Sequence, residues 1–318
     1  MGFKRSPQTF SAKVNAVTIG TGEKAVTIGG ENVFPLYSFD APIENKPKIG
    51  VQISDRGYNN AVAGIAEYYK GAENFVDMAK KAALMPGADF LVLSFESANP
   101  DAENTSVEEC AALAKEIAEA VDMPIVVEGC KNKEKDAKLF DKIAAALEGK
   151  NSLFLSAQEE NYKEIAASAG LAYKHKVGAE SAVDINLAKQ LNVLINQMGV
   201  AGENIVMNLG SAAAGYGFEY VASTMDRVRS AALSQNDTML QMPVITPVSD
   251  EAWSVKESIV SQEEFPQWGS MEQRGVSMEI STAAACLAAG SNAVILRHPE
   301  SIATISNLIS AMCDKEGN

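Results

Sequence analysis

Residues 203–229 read ENIVMNLGSAAAGYGFEYVASTMDRVR. The apolar run from Ile205 to Leu209 has the length of a buried strand. A loop with Gly210, Gly215 and Gly217 follows, and then Phe218, Val221, Met225 and Val228 recur at helical spacing. Strand, flexible loop and helix make the unit from which α/β barrels and open α/β sheets are built. Both place their ligands on loops leaving the carboxyl ends of parallel strands. Two readings of the glycines stand side by side. They let the backbone approach a flat or charged ligand, or they only supply the positive φ that a turn needs.

The same unit recurs along the chain. Strand-like runs begin near Ile49, Phe90, Ile125, Leu153, Tyr173, Ile205, Val244 and Val294. Amphipathic helical patterns separate nearly all of them, for example Phe75, Val76, Ala79 and Ala82, then Ala114, Ile117 and Val121, then Leu139, Ile143 and Ala146. Ser106 and Glu109 are spaced as a capping box, and Asp184 stands where an N-cap is needed before Ile185, Ala188, Leu191 and Ile195. Pro299 opens the last helix. Apolar strands alternating with such helices predict parallel strands buried on both faces. Eight units predict closure into a TIM (βα)8 barrel over residues 46–318. The competitor, an open doubly wound sheet, lacks a G-x-G-x-x-G fingerprint after any strand.

Residues 1–45 differ. Lys13 to Ile19 and Lys24 to Ile28 are β-rich and are separated by Gly20-Thr21-Gly22-Glu23. They predict a β-hairpin extension that plugs the barrel's N-terminal end or pairs with another subunit. A second irregularity is the insert SDEAWSVKESIVSQEEFPQWGS at 249–270, long for a loop and holding both tryptophans, Trp253 and Trp268. It reads either as an aromatic lid or interface over the C-terminal face, or as a segment that packs its rings down onto the barrel.

The chain has 318 residues, 47% of them hydrophobic, and a net charge of −14. That balance argues against binding nucleic acid or an anionic membrane. No apolar run reaches membrane-spanning length, and MGFKRSPQTF lacks an apolar signal core; Met1-Gly2 matches an acylation pattern only through Ser6. Cys110, Cys130, Cys286 and Cys313 are far apart, with no C-x-x-C, so they read as free thiols of a reducing cytoplasm rather than cluster or zinc ligands.

Strand ends supply Asp55, Glu96, Glu128, Gln158, His175, Asn208, Thr246, Arg297 and His298 as candidates for chemistry at one mouth. An acid or base pair among them and simple helix capping are both open. The two histidines form no metal-ligand pattern, and no G-x-S-x-G elbow is present. The residues themselves predict a ligand-binding mouth without an evident catalytic machine.

Several stretches carry a resemblance. These are Gln158-Glu159-Glu160-Asn161-Tyr162-Lys163, DINLAKQLNVLINQM at 184–198, GYGFEY at 215–220, MDRVR at 225–229, MPVIT at 242–246, EAWSVKE at 251–257, EFPQWG at 264–269 and RHPE at 297–300. TSVEEC at 105–110 and PIVVEGC at 124–130 add a looser match. The chain resembles the small subunit of the corrinoid iron–sulfur protein, which corresponds to the acetyl-CoA decarbonylase/synthase delta subunit family. The resemblance implies a non-catalytic TIM-barrel subunit in a heterodimer. Its larger partner carries a 4Fe-4S cluster and a mobile corrinoid (cobalamin) domain, and the barrel's C-terminal face caps the corrin as a dry, chemically passive lid. It further implies that the complex carries a methyl group from methyltetrahydrofolate or a related pterin, as methyl-cob(III)alamin, to acetyl-CoA synthase in the Wood–Ljungdahl pathway. A methyltransferase and acetyl-CoA synthase are then transient partners. Matching motifs and strand ends together nominate Asn208, Gly215, Tyr216, Gly217, Thr246, Trp253, Trp268, Arg297 and His298 as corrin- or partner-contacting residues, with none as catalytic and none as a metal ligand. Two rival readings remain. One is a pterin-binding methyltransferase barrel acting on a corrinoid protein. The other is an aldolase-like barrel using Lys174 or Lys176 as a Schiff base.

Overall fold

The computed structural model describes residues 6–313. The Met1-Gly2 acylation pattern lies outside them. A two-stranded antiparallel hairpin, β1 (Val17–Ile19) and β2 (Val26–Ile28), precedes eight parallel strands. These are β3 (Lys48–Ser54), β4 (Phe90–Ser94), β5 (Ile125–Glu128), β6 (Leu153–Ala157), β7 (Lys176–Glu180), β8 (Ile205–Asn208), β9 (Ile245–Pro247) and β10 (Ala293–Leu296). Neighbours in sequence are neighbours in the sheet from β3 to β8, and β10 lies between β3 and β9. The ring closes where Met207 bridges Val244, with Met207 N–H donating to the Pro243 carbonyl at 2.8 Å. The fold is a TIM barrel. Seven strands start within one residue of the expected place. β7 starts three residues late, because Tyr173 and His175 belong to a turn after an irregular π-helical stretch, Ala166–Ala172.

Strand parity divides the core into two. Ile49, Val51, Leu91, Leu93, Val127, Phe154, Val177, Met207 and Leu296 face the helices. Phe90, Val92, Val126, Leu153, Leu155, Val206, Ile245, Ala293 and Ile295 fill the barrel. Gly50 belongs to the interior level: a Cβ there would lie 2.2 Å from the Phe90 ring, so the glycine makes room for it. The hairpin completes this inner cluster with Val17, Ile19 and Ile28. It is pinned to the loops that enter β6 and β9. The Asn151 amide donates to the Thr18 and Gly20 carbonyls at 2.9 Å, and Asn15 N–H donates to the Gln241 carbonyl at 2.6 Å. Of the two readings of this segment, plugging the N-terminal end is what the chain does.

The helices start where their caps predict. Ser106 and Glu109 form a complete capping box on Val107–Ala120, and Asp184 caps Ile185–Gln197. Arg229, from helix Phe218–Ser234, is a buried charge: it donates to the Gly290 carbonyl at 3.0 Å and reaches Asn292 Oδ1. Glu31 lies 3.6 Å away. It ties the segment after the hairpin to the outer helices. Among the described residues no helix is long and apolar enough to cross a membrane, and the four cysteines are free thiols.

Candidate functional site

Because side chains alternate along a strand, the last inward position of each strand belongs to one layer at the carboxyl end. In this chain that layer is polar. Ser94, Glu128, Glu180 and Asn208 lie on it at adjoining register positions, Ser94 beside Glu128 and Glu180 beside Asn208. Leu155, Ser156, Gln158, Pro247 and Asp250 line the same cavity, which has a volume of about 320 Å3.

One side of this mouth is a closed hydrogen-bond network. The Gln52 amide donates to Glu128 Oε2 at 2.6 Å and to Asp250 Oδ1 at 3.0 Å, and its carbonyl oxygen accepts from Ser249 at 2.6 Å and from Arg297 at 2.7 Å. Lys131 pairs with Asp250 at 2.8 Å. Burial pushes the Glu128 carboxyl up to about 8. The charge of Asp250 adds to this, against the Gln52 hydrogen bond and the cations Lys131 and Arg297. Burial also opposes ionisation of Asp250, but Lys131, Arg297 and Gln52 outweigh it and hold that carboxyl below its usual range. Two neighbouring acids are thus driven apart, one toward the neutral form and one firmly ionised. The opposite side is a second chain: Gln158 donates to Glu180 at 2.9 Å, Asn208 Nδ2 donates to Ser156 at 3.1 Å, and Asn208 Oδ1 accepts from Gly210 N–H at 3.0 Å.

The nominated residues divide. Asn208 and Arg297 reach the mouth as expected from their strand ends. Gly215, Tyr216 and Gly217 form an exposed rim, with φ of +89° and +87° at the two glycines, and the Tyr216 hydroxyl donates to Glu257 at 2.5 Å. Trp268 lies on the same rim, stacked on Phe265 at 4.6 Å with the Lys256 ammonium over both rings.

Three nominated residues make their contacts within the chain. Thr246 is fully buried and hydrogen-bonds Ser291 at 2.5 Å, because parity sends Ile245 into the barrel and Thr246 toward the helices. Trp253 and His298 turn to each other: their rings stack at 5.9 Å, and the imidazole contacts Glu272 at 3.0 Å. His175, grouped with the mouth residues, is at the other end of the barrel. Its Nδ1 accepts from Ser152 N–H and its Nε2 meets the Ala144 carbonyl. Lys176 opens β7 at that same end, bonded to Asn204, and Lys174 is exposed just before it, so neither reaches the mouth for Schiff-base chemistry. The expectation of an apolar face is corrected at the mouth, which is lined largely by acids, amides and lysines. Asp55 caps a turn through Ser97, the ordinary strand-end role.

Reading the sequence missed Gln52, Lys131, Glu180 and Asp250. Parity counted from Gly50 would have found Gln52, and the late start of β7 hid Glu180. Asp250 sits in the insert, whose fold no periodicity announces. Arg274 was missed for the same reason. Its guanidinium donates to the carbonyls of Glu257, Val260 and Gly269 and so holds the insert in place.

Comparison with known proteins gives a consistent result. The family model for the CO dehydrogenase/acetyl-CoA synthase delta subunit matches residues 16–305. The acetyl-CoA decarbonylase/synthase complex subunit delta of Archaeoglobus fulgidus is 31% identical over 326 aligned positions, covering 98% of this chain and 71% of that protein. Subunit delta 1 of Methanosarcina thermophila is 32% identical over 297, covering 92% and 67%. Among solved structures, 7,8-dihydropteroate synthase from Vibrio fischeri superposes with a TM-score of 0.57 at 11% identity, covering 95% of this chain and all of that one. Dihydropteroate synthase from Xanthomonas albilineans gives 0.55 at 13%, also covering 95% of this chain. Identities this low speak to the barrel fold alone.

Proposed function

The chain belongs to the CO dehydrogenase/acetyl-CoA synthase delta subunit family, and from that premise we propose that it is the non-catalytic small subunit of a heterodimeric, cytoplasmic methyl carrier. In this reading the barrel's C-terminal face covers a corrinoid held by a larger iron–sulfur subunit. The complex takes a methyl group from methyltetrahydrofolate or a pterin analogue to acetyl-CoA synthase. The hairpin extension of residues 1–45 then has a structural part, sealing the far end of the barrel of residues 46–318.

The observation that carries the reading is the rim. Tyr216, Tyr220 and Ile259 are 50%, 69% and 58% exposed, and the Tyr216–Glu257 hydrogen bond joins the two segments that present them. Large exposed apolar groups gathered beside a hydrogen-bonding mouth are what a partner surface needs.

The donor set fits the periphery of a corrinoid rather than its metal. Both imidazoles are committed, and burial pushes the thiols of Cys110, Cys130 and Cys286 up to about 12. When bound, a corrinoid supplies a cobalt that accepts and releases the methyl group. This chain's residues would do the rest: Gly215 and Gly217 let the backbone come close, Tyr216 and Tyr220 shed water from the edge, and Asn208 and Arg297 meet polar side arms.

Purification of the native complex with an absorbance spectrum tests this. A red, cobalt-containing heterodimer with one larger iron–sulfur partner is expected. A colourless chain without such a partner overturns it. A second reading, a pterin-binding methyltransferase, is favoured by one observation, the acids Glu128 and Glu180 beside Asn208 in one cavity. Methyl transfer from a methylated pterin to free cobalamin by the purified chain alone would establish it in place of the first.

A further inference from the structure

Helix Met271–Ala289 packs outside the barrel, yet one of its acids reaches the end of a barrel strand. Glu279 is 0% exposed. Its Oε1 accepts from Arg297 N–H at 2.7 Å and its Oε2 from His298 N–H at 3.3 Å, the two amides that follow β10. The Ser301 hydroxyl and the Trp253 indole N–H are buried beside the same carboxylate and have no other acceptor. Taking a carboxylate out of water is costly unless donors replace the water. Here they come from three places: the strand end, helix Pro299–Cys313 and the insert.

The consequence falls on the two side chains next to those amides. Neighbouring residues at a strand end point opposite ways, and Glu279 holds the backbone between them. Arg297 goes to the mouth, where its Nη2 donates to Gln52 Oε1 at 2.7 Å and to Asp250 Oδ1 at 3.3 Å. Its side chain is 30% exposed, and among the described residues Nε and Nη1 have no hydrogen-bond partner. His298 goes outward, to Trp253 and Glu272. We propose that Glu279 is a positioning residue: from the outer helix it fixes the direction of Arg297 and keeps the uncommitted donors of that guanidinium presented at the mouth. What the guanidinium meets there rests on the functional reading above. Helix capping does not account for the arrangement. His298 Nδ1 already accepts Glu300 N–H at 3.1 Å, and Glu279 holds the amides before the helix rather than those of its first turn.

The Glu128 carboxyl reports where the guanidinium stands, because the Arg297 cation favours its ionised form. Carbon-13 NMR of the full chain, labelled at its glutamate carboxyls, gives the Glu128 titration midpoint in the wild type, Glu279→Gln, Arg297→Gln and the double variant. Glu279→Gln leaves one acceptor for two amides, so the guanidinium should leave its place. The midpoint should rise by roughly half a pH unit or more, although loss of the Glu279 charge by itself acts the other way. Arg297→Gln should raise it at least as far, and the double variant no further than Arg297→Gln alone. A Glu279→Gln chain that melts lower while Glu128 titrates as in the wild type would make Glu279 a structural residue only and overturn the proposal. Additive shifts in the double variant would overturn it too. If Glu279→Gln does not fold, amide hydrogen exchange in the wild type decides. The Arg297 and His298 amides should then exchange within about tenfold of Ile295, and faster exchange overturns the proposal. None of these readings needs a corrinoid or a partner. A colourless native chain would therefore remove the functional reading and leave the placement of Arg297 by Glu279 standing.

Discussion

Trp253 and His298 lie ring on ring, 5.9 Å apart and inclined by 20°. Each is on a segment that sequence reasoning aims at a ligand, and each is used to hold the other. The indole also fills the space left by Gly275, where a Cβ would come within 2.3 Å of the ring. The insert is thereby fastened to helix Met271–Ala289.

Gly275→Ala should destabilise the fold by about 1–3 kcal/mol through overpacking, despite the better helix propensity of alanine. Combined with Trp253→Leu the loss should be less than the sum of the two single changes, because removing the indole vacates the same space. Urea unfolding of the three variants measures this, and strict additivity would contradict the contact.

The buried acid at the mouth gives stability a pH dependence with a definite sign. Glu128 holds its proton in the folded chain up to about 8, whereas in the unfolded chain it releases it near the ordinary carboxyl value. Its contribution is therefore fully present below the unfolded value, declines as pH rises, and is lost above about 8. Glu128→Gln should remove this slope. Relative to wild type it should gain on the order of 4 kcal/mol in going from pH 5 to pH 9, read from melting curves at both.

Arg229 and Glu31 test how the segment after the hairpin is held. Truncating either leaves the other charge buried. Glu31→Ala or Arg229→Met should each cost about 3 kcal/mol or more, measured by chemical denaturation. The double variant should recover part of that loss.

The plug should be as much a core element as any strand. Ile19 and Ile28 are fully buried inside the ring. Ile19→Ala should cost about 2–4 kcal/mol through the cavity it leaves. Hydrogen exchange should quicken at the loops entering β6 and β9 that grip the hairpin.

The rim should behave oppositely. Tyr216→Phe removes the hydroxyl that donates to Glu257, and Tyr220→Ala removes an exposed ring. The melting temperature should stay unchanged in both, while co-purification with the larger subunit weakens. Lost stability with intact assembly would move the partner surface elsewhere.

Alternation of apolar runs and helical stripes made the barrel legible, because both periods are written directly in the residues. Asn208, Glu128 and Gln158 were legible as strand ends for the same reason. What escaped depends on counts that one residue upsets. Thr246 faces the helices because β9 sets Ile245 inward. Glu180 stayed hidden because β7 begins at Lys176, after a turn that folds His175 beneath the strand layer. Asp250 owes its place to Gln52, Lys131 and Arg297, three partners distant in sequence, and no local pattern announces such a meeting.

The inner hairpin also bears on how the chain comes to be folded. Its residues are synthesised before every barrel strand, yet the apolar pocket they occupy exists only once Ile295, near the end of the chain, has joined the ring. Val17, Ile19 and Ile28 must therefore wait, exposed, through most of translation. Closure of the ring and seating of its stopper become one late, long-range event, of the kind that makes folding slow. A chaperone with affinity for short β-rich apolar segments would find its natural substrate there.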